Sequence, residues 1–176
     1  MRALVIFESM FGNTESVARA VASGLGAGME VDVLEVGTAP AAIPGDVDLL
    51  VIGGPTHAFG MSRPRTRADA AGQAPGGIVS RGIGMREWLE SLHAPATAPA
   101  AATFDTRIDK PRVPGSAARG AEKRLRKLGF RMLADAESFY VRGTPGPLVD
   151  GEVVRARRWG EALAAAARRP EPMITA

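Results

Sequence analysis

The chain opens with a short apolar run, Ala3 to Phe7, partly β-branched and unbroken by charge, which is the pattern of a strand buried on both faces of a parallel sheet. Glu8 to Asn13 then bring in small and turn-forming residues. From Thr14 the period lengthens to that of a helix: Val17, Ala18, Val21, Ala22 and Leu25 fall on one stripe, Asn13 or Thr14 stands as cap, and Glu15 lies in the first turn. A strand therefore runs through a tight turn directly into a helix. At such a junction unpaired backbone N–H groups and the positive end of the helix dipole favour a bound phosphate.

The alternation continues along the chain. Met29 to Glu35 sets Val31 and Val33 against charges, as a strand near a sheet edge does, and Gly37 to Gly45, with Pro40 and Pro44, leaves room for a short helix at most. Asp48 to Gly53 is a second buried-strand pattern and the third strand. Met61 to Gly77, rich in Arg, Ala, Gly and Pro, predicts an extended mobile loop. Met85, Trp88, Leu89 and Leu92 repeat at helical spacing, with His93 near the end as a structural or solvent-facing residue. Ala101 to Thr106 forms the fourth strand. Ser116 caps a helix with Ala118, Ala121, Leu125 and Leu128 inside and its basic residues outside. Phe130 to Val141 is the fifth strand, interrupted around Asp135 to Glu137, with Phe139 and Tyr140 as packing residues. Gly143-Thr-Pro-Gly-Pro147 makes a tight loop. Val153 or Val154, Trp159, Leu163 and Ala166 build a last helix before Pro170, and residues 171–176 form a frayed tail. Strands alternating with helices predict an α/β fold: one doubly wound, five-stranded parallel sheet with helices on both faces, in a single domain over residues 1–170.

Ser9-Met-Phe-Gly-Asn-Thr14 resembles the phosphate-binding loop of the flavodoxin family, written (Ser/Thr)-x-Thr-Gly-x-Thr. The departure is Phe11, which has no hydroxyl to offer a phosphate; backbone N–H groups, Ser9, Asn13 and Thr14 would compensate. A second stretch, Gly53-Gly-Pro-Thr-His-Ala-Phe-Gly-Met61, resembles the loop after the third strand that touches the flavin ring in the same family. The resemblance implies strand order 2-1-3-4-5, which sets both loops beside the topological switch point. It also implies a non-covalently bound FMN, its phosphate in Ser9, Met10, Phe11, Gly12, Asn13 and Thr14. The ring would lie between Pro55, Thr56, His57, Ala58, Phe59 and Gly60 on one side and the loop after the fourth strand, Phe104 to Gly115, on the other. From that second loop Phe104, Asp105, Thr106 and Arg107 are candidate contacts. His57 stands where many flavodoxins have a stacking aromatic, and Phe59-Gly60 takes that place if the loop is shifted by two residues. Gly60 or Ala58 would turn a carbonyl toward the ring. Arg63, Arg65, Arg67 or Arg107 near the ring would raise its potential, and the same arginines also suit partner docking or solubility.

The resemblance implies a cytoplasmic electron carrier passing electrons from a reductase to a redox enzyme. The same loops are similar to those of NAD(P)H-dependent quinone reductases, and a flavin-free binding module is the third class. Gly-x-x-x-x-Gly-Lys and Gly-x-Gly-x-x-Gly are both absent, which removes nucleoside triphosphate and dinucleotide loops. With no cysteine in 176 residues, disulfides, thiolate metal sites and a Cys nucleophile are excluded. No apolar run approaches the roughly 18 residues of a membrane span and no signal pattern opens the chain. The formal charge of +3 is uneven: residues 1–99 hold 7 Lys/Arg against 10 Asp/Glu, and residues 100–176 hold 15 against 9. Arg119, Lys123, Arg124, Arg126 and Lys127 lack the interleaved aromatics of a nucleic-acid surface and suit a solvated helix face. Partners are therefore expected to be redox proteins, with no nucleic acid and no membrane, and the chain a monomer or a dimer.

Overall fold

The computed structural model describes residues 1–95, 97–111 and 114–168. The strands are β1 (Arg2–Phe7), β2 (Glu30–Glu35), β3 (Leu49–Pro55), β4 (Ala100–Ile108), β5 (Arg131–Met132) and β6 (Glu137–Val141). The helices are α1 (Asn13–Leu25), α2 (Pro64–Gly72), α3 (Met85–Ser91), α4 (Ala117–Lys127) and α5 (Glu152–Ala167), with a 3-10 turn at Val36–Thr38. All ladders are parallel and the sheet order is β2-β1-β3-β4-β5, with β6 also paired to β4. The expected fifth strand is thus split into β5 and β6, and the interruption, residues 133–136, overlaps the expected one at Asp135 but ends before Glu137, which opens β6. The fold is the flavodoxin-like α/β arrangement.

Side-chain alternation divides the core between the two faces of the sheet. Val5, Phe7, Val51 and Phe104 pack against α1 and α5, while Leu4, Ile6, Leu50 and Ile52 pack against α3 and α4. On the first face Phe104, Phe139 and Trp159 meet edge to face, with ring centroids 6.0–6.2 Å apart. Gly53 makes room for that cluster, since a Cβ there would lie 2.1 Å from the Phe104 ring. α1 and α5 touch backbone to backbone through two glycines: a Cβ on Gly24 would stand 2.0 Å from the Arg157 carbonyl oxygen, and one on Gly160 would stand 2.2 Å from that of Val21. This crossing explains a correction to the last helix. Its buried face is Ala156, Gly160, Leu163 and Ala164, which turns Val153 and Val154 outward to solvent.

A second correction concerns residues 61–77, where the mobile loop is replaced in part by α2. Pro64 occupies its first turn, where a missing N–H costs nothing, and the Arg63 N–H donates to Thr66 Oγ1 at 3.0 Å. The cap of α1 also differs. Gly12, at φ +87°, holds that position with no side-chain cap bond, and the helix begins at Asn13. Tail residues 169–176, together with Arg112 and Val113 of the loop after β4, lie outside the described residues. Among the described residues no helix is long and apolar enough to cross a membrane.

Candidate functional site

The turn after β1 is rigid because other segments use up its outer surface. Ser9 is buried, and its Oγ accepts from the N–H groups of Gly12 and Glu15 at 3.1 and 3.3 Å. From behind, the Ser9 N–H donates to Ser80 Oγ at 2.9 Å, while Val79 and Ser80 donate to the carbonyls of Met10 and Ser9. Asn13 Nδ2 donates to the Pro145 carbonyl at 3.1 Å, and the hydroxyls of Thr14 and Thr106 meet at 2.7 Å. Among the groups the clamp leaves over are the N–H groups of Phe11, Asn13 and Thr14, which have no partner among the described residues. Gly12 has open space where a Cβ would stand. Three free donors around an open glycine at the start of a 13-residue helix match the requirements of a phosphate group.

The loop after β3 ends in a two-residue turn. His57 and Gly60 exchange both backbone hydrogen bonds, at 2.8 and 3.0 Å, and Ala58 and Phe59 between them sit at φ +42° and +78°. Both central residues in the left-handed region define the I′ class of turn, which ordinarily takes Asn or Gly. The strain falls on Ala58 and Phe59, and Gly60, the expected flexible position, has a negative φ. Its payoff is geometric: Phe59 stands at the tip, 62% exposed. Ala58→Gly is accordingly expected to stabilise the fold by about 1 kcal/mol, read as a raised urea midpoint. An unchanged or lowered midpoint would mean that Ala58 is not strained in solution.

Asp105 anchors the opposite side. Its Oδ2 accepts from Thr56 Oγ1 at 3.0 Å, from Ala118 N at 3.1 Å and from Ser116 Oγ, so one carboxylate ties β4 to the loop after β3 and to the start of α4. The Ala117 N–H completes the knot by donating to Thr56 Oγ1 at 2.9 Å.

A buried charge network lies beneath the same loops. Glu8, fully buried, accepts from Met85 N at 2.7 Å and from Ser62 Oγ; Arg67 donates to Ser62 Oγ at 2.9 Å and pairs with Glu87 at 3.0 Å. Burial pushes the Glu8 carboxyl above its ordinary range, against the pull of its hydrogen bonds and of Arg67. For Glu87 burial also pushes upward, but the Gly84 N–H and Arg67 together bring it below the ordinary value. His57 is held below its ordinary value by burial and by the Arg67 charge, which favours a neutral imidazole.

These loops enclose a cavity of about 400 Å³ at the carboxyl ends of β1, β3 and β4. Its lining includes Met10, Phe11, Asn13, Thr14, Pro55, Thr56, His57, Ala58, Phe59, Thr106 and Arg107, which brings together eleven of the residues expected from sequence. His57 and Phe59 both line the cavity, so both registers of the loop place an aromatic residue there. Ser9, Gly12, Gly60, Phe104 and Asp105 do not line it. Ser9 supports the turn from behind, Phe104 is core on the α1 and α5 face, and Asp105 points into the α4 side. Among the four arginines expected near a ring, Arg107 lines the cavity, Arg67 is committed to the buried network, and Arg63 and Arg65 are exposed. Sequence reasoning missed the contributions of Thr66, Asp69, Ala70 and Gln73 from α2, of Ile108 and Val141 at strand ends, and of Thr144. Pro64 followed by eight residues free of further proline was the available signal for α2.

The flavodoxin family profile matches residues 5–71, the part of the chain that holds both loops. Among solved structures, an archaeal flavodoxin is 18% identical with a TM-score of 0.64, the match covering 96% of this chain and all 100% of that one. Oxidised Flavodoxin 1 from Bacillus cereus is 20% identical with a TM-score of 0.66, covering 94% of this chain and 98% of the other. The Flv1 flavodiiron core from Synechocystis is 20% identical over 95% of this chain, which spans 36% of that larger protein, with a TM-score of 0.61. No curated protein matches. The profile match covers the first strands and both loops, and the sheet order throughout is that of the flavodoxin-like fold.

Proposed function

We propose that this chain binds FMN without a covalent link and carries electrons between a reductase and a redox enzyme. The observation that carries the reading is the meeting, at the switch point of the sheet, of three unpaired N–H groups with a largely apolar slot. The profile match over both loops and the flavodoxin-like fold support a flavin; the choice of FMN rests on that donor set, which suits a terminal phosphate and offers no side-chain cation. Phe11, Asn13 and Thr14 would take the phosphate through the main chain, so the missing hydroxyl at Phe11 matters less than it would in a side-chain cradle. Met10, Phe11, Pro55, Phe59 and Ile108 would exclude water from the ring, with Thr56, Thr106 and Arg107 as the polar groups of the loops beside it. When bound, FMN supplies the electron transfer itself. The exposed Phe59 marks the edge at which a partner protein would approach.

The test is uptake of FMN by the purified protein, followed by dithionite titration and then NADH or NADPH. The expected result is a stoichiometric complex that is reduced in two resolved one-electron steps and is not bleached by nicotinamide. Direct bleaching by NADPH with quinone turnover would replace the carrier with a quinone reductase of the same fold. Failure to take up FMN would overturn both and leave a flavin-free binding module.

A further inference from the structure

α2 and its C-cap residue turn one stripe toward the cavity: Thr66, Asp69, Ala70 and Gln73, spaced i, i+3, i+4 and i+7. On a helix that covers a protein core, that stripe is apolar. Here it carries a carboxylate and an amide, set against walls made largely of Met10, Phe11, Pro55 and Ile108. Of this stripe only Ala70 is buried, and the helix has its polar anchor elsewhere. It is held from another side, by Arg67 reaching Ser62 and Glu87 and, through Ser62, the buried Glu8. A charge network thus fixes a helix whose inward face is polar. The side chains of Asp69 and Gln73, both at the solvent-open rim, bond no described residue.

An acceptor and an amide one helical turn apart form a reader for a ligand edge on which an N–H donor lies beside carbonyl acceptors. Phosphate is excluded from this wall by the charge of Asp69, and its own cradle lies on a different element, at the start of α1. We infer that Asp69 and Gln73 recognise the imide edge of the flavin ring, Asp69 accepting the N3–H and Gln73 donating to a flanking carbonyl. This assignment rests on the FMN reading above and names residues that neither loop motif contains.

A ligand-and-residue cycle tests it: dissociation constants of FMN and of 3-methyl-FMN, which has no N3–H, are measured for the wild type, D69A and Q73A. Both substitutions lie on an exposed helix surface, and unchanged urea midpoints check that the fold is kept. The wild type is expected to bind 3-methyl-FMN about tenfold more weakly than FMN, the size of one charge-assisted hydrogen bond. D69A is expected to bind FMN about tenfold more weakly and to lose the discrimination between the two flavins, while Q73A weakens both and keeps it. Discrimination retained in D69A, or an equal loss for both flavins as a ribityl contact would give, overturns the inference and leaves FMN binding standing. A wild type that binds neither flavin overturns the FMN reading and this inference with it.

Discussion

Gly115→Ala is expected to lower FMN affinity by about tenfold or more and to cost about 3 kcal/mol of folding stability. Gly115 sits at φ +95°, and a Cβ there would stand 2.0 Å from the Phe59 carbonyl oxygen and 2.5 Å from its Cα. Those atoms are main chain, so no rotamer change can relieve the overlap. One of the two loops must move. The Phe59 side has little slack, being a left-handed turn closed by two hydrogen bonds, and the Gly115 side is tied through Ser116 to Asp105. Gly129→Ala is the matched control: its φ is +88°, but nothing lies within 4 Å of the added carbon. It is expected to cost about 1 kcal/mol from backbone strain alone and to leave FMN affinity unchanged. Flavin titration and urea unfolding of the two variants separate the clash from the strain. Equal affinities in both would show that the loops do not meet in solution as they do here.

Glu8→Ala is expected to be the most destabilising side-chain truncation near the site, by about 3 kcal/mol, because it leaves the Ser62 hydroxyl and the Met85 N–H without their acceptor in a dry interior. Glu8→Gln keeps the shape and one acceptor and should cost about 1 kcal/mol at neutral pH. The pair also predicts a pH dependence. Because the folded carboxyl titrates above its ordinary value of 4.5, the native state holds a proton that the unfolded chain has already released. The contribution of Glu8 is therefore fully present below that ordinary value and declines as pH rises through the raised one. The stability of wild type minus that of E8Q should fall over this window and then level off. A flat difference in urea unfolding from acidic to neutral pH would show that the folded Glu8 carboxyl titrates at its ordinary value.

Much of the fold is legible because buried parallel strands leave little choice. Ala3 to Phe7 and Asp48 to Gly53 can satisfy both faces of a sheet only at its centre, and the alternating Met29 to Glu35 can only sit at its edge, as β2 does. The turn after β1 was readable for the same reason, since glycine, small polar residues and a helical period are compressed into one junction. The misses have physical causes as well. Residues 64–72 carry no apolar stripe, so the period that reveals helices is silent there; the helix is bought with buried charge, and Arg67 reads from sequence as surface. Phe104 and Asp105 were grouped by their nearness to a strand end, but they are neighbours in an extended chain and must point to opposite faces. β4 continues to Ile108, and the residues that reach the cavity are those from Thr106 onward. Val153 and Val154 mislead because two glycines let α5 approach α1 more closely than any apolar stripe requires.

That glycine crossing limits how far the proposed phosphate cradle can be transplanted. The cradle itself is written in fewer than a dozen consecutive residues, yet α1, whose first turn supplies its donors, is braced along its length by α5, more than a hundred positions away in sequence. Val141 and Thr144 complete the same cavity from that distant end. A fragment ending where the family profile ends would retain every recognisable motif and lose the brace that holds the donors in register. The binding unit is the closed chain, and its motifs are only the legible part of it.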